Sequence, residues 1–382
     1  MKYRFHVLAL AHTVASKEYV SCAYTQKVVK FCKMMKERGH TIYLYAHDRS
    51  DAICDELIPV TNDKVLIETY GEYDWKSNQF VHNVSDLAQT TFNQNAINEI
   101  TSRKQPGDFL LCFWGYGHQP VANAHPDLIP VEPGIGYHSG LFAPYRVFES
   151  YSVLGIAYER MKWGNPGWYD AVIPNYFEPE DFEYREEKDD YFLYIGRLVT
   201  VKGIDIAIQA TERAGVKLVI AGQGDFEKTF GKKPDHVELA GYADVEKRKK
   251  LMAGAKAVFV PTYYPEPFGG VMIEAFFSGT PVISTDWATF AENNLHGVTG
   301  YRCRTMEQFV WATKNIDKIS PKACREWAMN NYSLDAIAPM YEEFFHTVTL
   351  AKQPKGWYEE YPERTELDWM VRKYPSECCK NC

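Results

Sequence analysis

Residues 261–281 read P-T-Y-Y-P-E-P-F-G-G-V-M-I-E-A-F-F-S-G-T-P. The run ahead of them, Ala255 to Val260, is apolar and reads as a buried strand. After Gly270, Val271, Ile273, Phe276 and Phe277 recur at helical spacing until Gly279, a natural helix terminator. The stretch is therefore strand, tight loop, helix. Gly269 and Gly270 fall where the helix begins, with no side chain to keep a ligand off the backbone. The first turn of a helix carries unpaired N–H groups and a partial positive charge, so it suits an anion. Glu274 lies about one turn into the helix, and Glu266 stands on the loop ahead of it. Acidic groups on both sides of an anion site suit a ligand with phosphates in the middle and hydroxyls at its ends. A nucleotide sugar is such a ligand.

The stretch resembles the E-x7-E signature of the retaining glycosyltransferases of family 4, and the likeness continues through G-T-P-V-I-S-T-D-W to E-N-N-L-H-G-V-T-G-Y. The resemblance implies an α/β chain of two Rossmann-like domains facing across a cleft, the GT-B fold.

Bulk properties allow two domains of ordinary size with substantial cores. The chain has 382 residues, 46% of them apolar, and a formal net charge of −8. That charge gives no general pull toward nucleic acid or anionic membrane. Lys247, Arg248, Lys249 and Lys250 form a short basic run that reads as a solvated helix face. The longest apolar runs, such as Phe109 to Trp114, are too short to span a bilayer, so no transmembrane segment is expected. The N-terminus reads as a first strand rather than a signal sequence. Nine cysteines, scattered singly outside the tail, form no disulfide framework, which suggests a reducing, cytoplasmic setting. Cys378, Cys379 and Cys382 in the tail lack a histidine or second cysteine pair nearby and read as a loose end.

In the first half, Val7 to Leu10 reads as strand, Val20 to Met35 as helix and Thr41 to Ala46 as strand, one β-α-β unit. His12 and Lys17 are polar candidates on the first loop, where many family members carry a Gly-Gly pair that this chain lacks. Asp63 to Asn95 shows no clear period. Phe109 to Phe113 is a strand, and W-G-Y-G-H follows it, ending at His118. Loops at the carboxyl ends of parallel strands are where ligands bind in such sheets. The resemblance makes His118 a candidate contact to the transferred sugar; a plain loop histidine is the competing reading. P-V-E-P-G-I-G-Y is followed by S-V-L-G-I-A, which is strand-like, with Glu132 and Pro133 in the zone where many relatives have a histidine.

The charged run Arg185 to Asp190 reads as a linker, and the boundary is expected near Phe177 to Asp190. The domains are expected at 1–180, on the acceptor side, and 181–350, on the nucleotide-sugar side. Residues 351–382 form a tail, and Leu334 to Thr349 is a candidate to cross back onto the first domain. Tyr191 to Ile195 opens the second domain as a strand, and Gly196 turns the chain. Arg197 and Lys202 then match the family's G-R-x-x-x-x-K-G pattern, whose basic pair grips the donor diphosphate. Two cations there would neutralise a leaving group that gains charge as the sugar departs. By the same resemblance, backbone near Gly241 and Tyr242 contacts the nucleobase. Relatives tend to have glycine where Ala288 stands.

The expected donor-binding set is Gly196, Gly241, Tyr242, Phe268, Gly269, Gly270, Val271 and Glu274. The expected catalytic set is Glu266, Arg197, Lys202 and His118. Glu274 takes the ribose hydroxyls, and Glu266 orients the transferred sugar. No Asp-x-Asp occurs in the chain, so neither metal nor other cofactor is expected. The acceptor would be a hydroxyl of a glycan, a lipid-linked or another molecule; a nucleic-acid acceptor is disfavoured by the acidic charge. A nucleotide-sugar 2-epimerase of the same fold and a non-catalytic nucleotide-sugar binder remain open alternatives.

Overall fold

The computed structural model describes residues 1–19, 22–72, 80–162 and 167–352. These fall into two compact units, with the first boundary between Tyr176 and Phe177. The second unit ends at Ser333, and the chain from Leu334 groups with the first unit.

The first unit is built on seven parallel strands: β1 (Arg4–Leu8), β2 (Thr41–His47), β3 (Glu56–Thr61), β4 (Phe109–Cys112), β5 (Ile129–Ile135), β6 (Tyr145–Phe148) and β7 (Ala171–Val172). Their order is β3-β2-β1-β4-β5-β6-β7. Alternate residues of each central strand feed opposite cores. Phe5, Val7, Phe109 and Leu111 face the core shared with the helix Ala23–Glu37, while Leu8, Leu110 and Cys112 face the one shared with the helix Leu87–Thr101. Apolar side chains on both faces demand cover on both sides, which is why the sheet is parallel with crossover helices.

The helix Leu334–Ala351 supplies Ile337, Met340, Tyr341, Phe344, Phe345 and Val348 to the first of those cores. Phe345 lies 4.7 Å from Phe5 and 4.8 Å from Phe109, ring centre to ring centre. Arg38 and His40 hold this helix from outside through Glu342. Residues 334–350 thus leave the span 181–350 expected for the second domain, because their apolar face is spent on the first unit's core. The tail from 353 onward lies outside the described residues, as does Trp75 in the unassigned aromatic region. Around Trp75, the helices Asp63–Tyr70 and Leu87–Thr101 are formed, capped by Asn62 and Asp86.

Residues 152–157, expected as a strand, lie instead in the helix Tyr151–Arg160. Ser150 accepts the Val153 N–H at 3.1 Å as its cap, and Val153 and Ala157, one turn apart, are the residues it buries.

The second unit has six parallel strands: β8 (Phe192–Ile195), β9 (Leu218–Ala221), β10 (Val237–Gly241), β11 (Val258–Val260), β12 (Val282–Thr285) and β13 (Gly300–Cys303). Their order is β10-β9-β8-β11-β12-β13. Both sheets reverse direction of growth beside their first strand, between β1 and β4 and between β8 and β11. In open α/β sheets, the carboxyl ends of the two strands at such a point frame the binding crevice.

Candidate functional site

The loops leaving β8 and β11 are the ones that carry Arg197, Lys202 and Glu266, and packing forces them together. A Cβ on Gly203 would stand 2.0 Å from the Pro261 carbonyl oxygen, and Gly203 itself has φ +72°. Only a glycine lets the backbones approach so closely in that conformation. The Tyr263 N–H donates to the Val201 carbonyl at 2.9 Å and fixes the register. The result brings Lys202 Nζ to 2.5 Å from Glu266 Oε2. Lys202 also sits 5.0 Å over the Tyr264 ring. Burial first, and then the neighbouring Glu266 charge, push the Tyr264 hydroxyl well above the usual tyrosine range, so it stays protonated. Arg197 is exposed and makes no ion pair among the described residues. Its carbonyl is anchored by the Tyr194 hydroxyl at 2.9 Å.

The helix after β11 runs Gly270–Phe277, with Gly269 as its N-cap at φ +76° and no side-chain cap. Its first N–H groups are left for another partner. Met272, Ile273, Ala275, Phe276 and Phe277 are buried, which leaves Gly270, Val271 and Glu274 on the outward stripe. Phe268 is different from its neighbours. Its side chain is buried against Phe177 and Tyr332, and its carbonyl accepts from the Thr289 hydroxyl at 2.9 Å. It belongs to the core that seats the loop, and its ring cannot meet a ligand.

Glu274 is held by Arg248, from the helix Val245–Gly254. Arg248 Nε donates to Glu274 Oε2 at 2.7 Å, and Nη2 donates to the same oxygen. The basic run 247–250 therefore contains a residue that pairs with Glu274, although its sequence alone presents it as a solvated face.

Gly196 and Gly241 sit at the ends of β8 and β10. A Cβ on Gly222 would fall 1.7 Å from the Gly196 carbonyl oxygen, and the Gly222 N–H donates to Gly241 at 2.9 Å, so the strand ends are laced edge to edge. Gly241 is exposed, and Tyr242 beside it is half-buried. Here lies a cavity of about 280 Å³, lined by Leu198, Ile220, Gly222, Gly224, Asp225, Phe226, Glu227, Leu239 and Gly241. Its lining combines apolar side chains and bare glycine backbone with the two acidic residues Asp225 and Glu227.

Ala288 has φ +49° and ψ −140°, a region that L side chains rarely adopt. The backbone there keeps a conformation suited to glycine although the residue is alanine.

His118 lies in the first unit, in the short turn Gly115–His118 after β4. It is fully buried and stacked on Phe92. Its Nδ1 accepts the Trp114 N–H at 3.3 Å, while Nε2, turned toward the Ala9 backbone, has no hydrogen-bond partner. Burial holds its pKa down to about 3, so the ring is neutral. His12 is likewise buried, with its pKa lowered to about 3 by burial and by His82, and it lies 5.0 Å from Trp114. Lys17 is exposed. Glu132 and Pro133 lie inside β5, which runs on to Ile135, and a histidine does follow that strand: His138, half-buried, with Nε2 unpartnered.

Among the described residues, no helix is long and apolar enough to cross a membrane, and no three metal-ligating side chains gather. The six described cysteines are unpaired.

Residues 177–332, almost the whole second unit, match the family model of glycosyl transferases group 1. An uncharacterized glycosyltransferase of Methanocaldococcus jannaschii is 31% identical over 172 residues, 42% of each chain. A glycogen synthase of Mycobacterium tuberculosis is 33% identical over 122 residues, 29% of each. The matched stretches thus span less than half of those relatives. Among solved structures, AviGT4, a glycosyltransferase involved in avilamycin A biosynthesis, superposes with a TM-score of 0.64 at 18% identity, covering 92% of this chain and 99% of that one. HepE of Anabaena, solved with UDP and glucose, gives 0.62 at 15% identity, covering 90% and 100%. The fold is GT-B, as in these glycosyltransferases.

Proposed function

We propose that this chain is a retaining glycosyltransferase that moves a sugar from a nucleotide-diphosphate sugar to a hydroxyl of a glycan, a lipid-linked or another acceptor. One observation carries the reading. Two carboxylates, Glu266 ahead of a glycine-opened helix start in the chain and Glu274 one turn into that helix, are each paired with a cation, on the unit that also holds the cavity beside Gly241. Both relatives and fold neighbours that carry glycosyltransferase names support the class of reaction.

In this reading the nucleobase enters the cavity beside Gly241, the ribose meets Glu274, and the diphosphate rests on the Gly269–Gly270 amides. Arg197 and Lys202 face the diphosphate, and Glu266 takes hydroxyls of the transferred sugar. The bond between the anomeric carbon and the diphosphate oxygen breaks, and a bond to the acceptor oxygen forms on the same face. The acceptor proton passes to the leaving phosphate oxygen. Two cations and a helix start suffice to meet the developing negative charge, so the reaction is proposed to run without a metal. The acceptor is assigned to the first unit, where His12 and His118 lie near the ends of β1 and β4. Neutral imidazoles there are suited to hydrogen bonding rather than to charge.

A thermal-shift panel of nucleotide sugars tests the reading, followed by incubation of the best binder with and without acceptor hydroxyls. Transfer that survives a chelator supports it. Donor isomerised at C2 without an acceptor points to the epimerase, and binding without turnover points to a binder. Activity that vanishes with chelator and returns with manganese overturns the metal-free mechanism.

A further inference from the structure

We propose that Arg248 is a positioning residue that makes Glu274 a one-oxygen reader of the ribose, so that this chain discriminates ribonucleotide from deoxyribonucleotide donors through a guanidinium on a neighbouring helix. The inference rests on the proposed donor site.

Arg248 comes from the Val245–Gly254 helix and Glu274 from the Gly270–Phe277 helix, so their meeting is tertiary. Both donating nitrogens of the arginine, Nε and Nη2, fall on Oε2. Oε1 receives nothing from the described residues. It lies 4.0 Å from where a Cβ on Gly270 would stand, turned back over the open first turn of its own helix. The carboxylate is thus locked about its last torsion, with one oxygen spent and the other aimed at the anion site. A free glutamate would rotate and offer either oxygen. Holding one rotamer removes an entropic cost that the ligand would otherwise meet on binding. The arginine also offsets a negative charge that would otherwise repel an incoming diphosphate. Both side chains are about one quarter exposed, so ligand hydroxyls have access to the pair.

Isothermal titration measures the dissociation constants of uridine and guanosine diphosphate, and of the 2′,3′-dideoxy form of whichever binds. The proteins are the intact wild type, Arg248→Leu and Arg248→Lys. Hydrogen bonds from hydroxyls to a charged acceptor lead the wild type to prefer the ribose form by roughly 10- to 100-fold. Arg248→Leu is expected to bind the ribose form more weakly and to prefer it by about threefold or less, as one freely rotating side chain would. Arg248→Lys, which keeps the charge but not the fork, is expected to recover affinity for both forms more than it recovers the preference. A purely structural arginine would weaken both forms equally and leave their ratio intact; that result in both variants overturns the inference while leaving the donor site standing. A wild type indifferent to the missing hydroxyls, or one that binds neither diphosphate, overturns the ribose role of Glu274 and the inference with it.

Discussion

Lys202 Nζ stands 2.5 Å from Glu266 Oε2, with both side chains about four-fifths buried. The lysine expected to grip a diphosphate is already held by the carboxylate expected to meet the sugar. Desolvation offsets much of the attraction in a partly buried pair, but losing one partner strands the other and costs more than losing a surface salt bridge.

An arriving diphosphate competes with Glu266 for this lysine. Lys202→Ala is expected to raise the dissociation constant for a nucleoside diphosphate by about ten- to hundredfold. Glu266→Gln releases the lysine, so it should leave that constant unchanged or lower while cutting the transfer rate by about a hundredfold or more. Calorimetry and initial rates on the two variants check this. Equal weakening of diphosphate binding in both would contradict it.

Ala288 occupies φ +49°, ψ −140°. Relieving that backbone should outweigh the added freedom of the unfolded chain, so Ala288→Gly is expected to stabilise by about 1 kcal/mol. Urea unfolding curves for the two proteins measure the difference directly, and a less stable glycine variant would refute the strain.

Glu132 is fully buried on β5. Burial lifts its pKa from 4.5 to about 7, against the opposing pull of donors from the Tyr137 hydroxyl and the Phe142 and Ala143 amides. Its folded pKa lies above its unfolded one, so the folded state binds the extra proton. The contribution is fully present below about pH 4.5 and is lost as pH rises toward 7. Glu132→Gln, a permanent stand-in for the protonated form, should gain on the wild type across that window by on the order of 3 kcal/mol. Buried His12 and His118 act in the opposite sense: their lowered pKa values cost stability as pH falls below about 6.5. The quantity to plot is therefore the difference between wild type and Glu132→Gln, in which both histidines cancel. A flat difference from pH 4.5 to 7 would show that the site is not titrating.

Phe345, fully buried between Phe5 and Phe109, binds the last described helix to the first sheet. Phe345→Ala is expected to cost about 3–5 kcal/mol. Hydrogen exchange should place the loss in the strands β1 and β4 rather than in β8–β13; protection lost from the second sheet instead would argue against the assignment of this helix.

Much of this was legible in the residues. Gly269, Gly270 and the two glutamates could be placed because a strand, a glycine pair and an apolar helix leave few ways to fold 20 residues. The alternation of strand and helix specified both sheets. Arg248 was hidden because four consecutive basic residues look the same whether or not one of them turns inward. Its partner lies 26 positions away, and nothing local signals a tertiary pair. Residues 152–157 were misread because a short apolar run fits a strand or a buried helix equally; Ser150 ahead of it was the available clue. Phe268 was expected among the donor-binding residues, but proximity to Gly269 along the chain does not tell that its ring packs against Phe177 and Tyr332.

The chain leaves the first unit at Tyr176 and re-enters it at Leu334. Residues 177–333 of the second unit are therefore an insert between two stretches of the first. During synthesis the insert has all its strands out of the ribosome while the amino-terminal sheet still lacks the helix that closes its core. That sheet must wait, with Phe5, Phe109 and the helix residue Phe31 lacking their cover from Phe345, until residues 334–351 are translated. Premature termination near residue 333 would thus spare the later-made unit and ruin the earlier-made one, the reverse of what order of translation alone suggests.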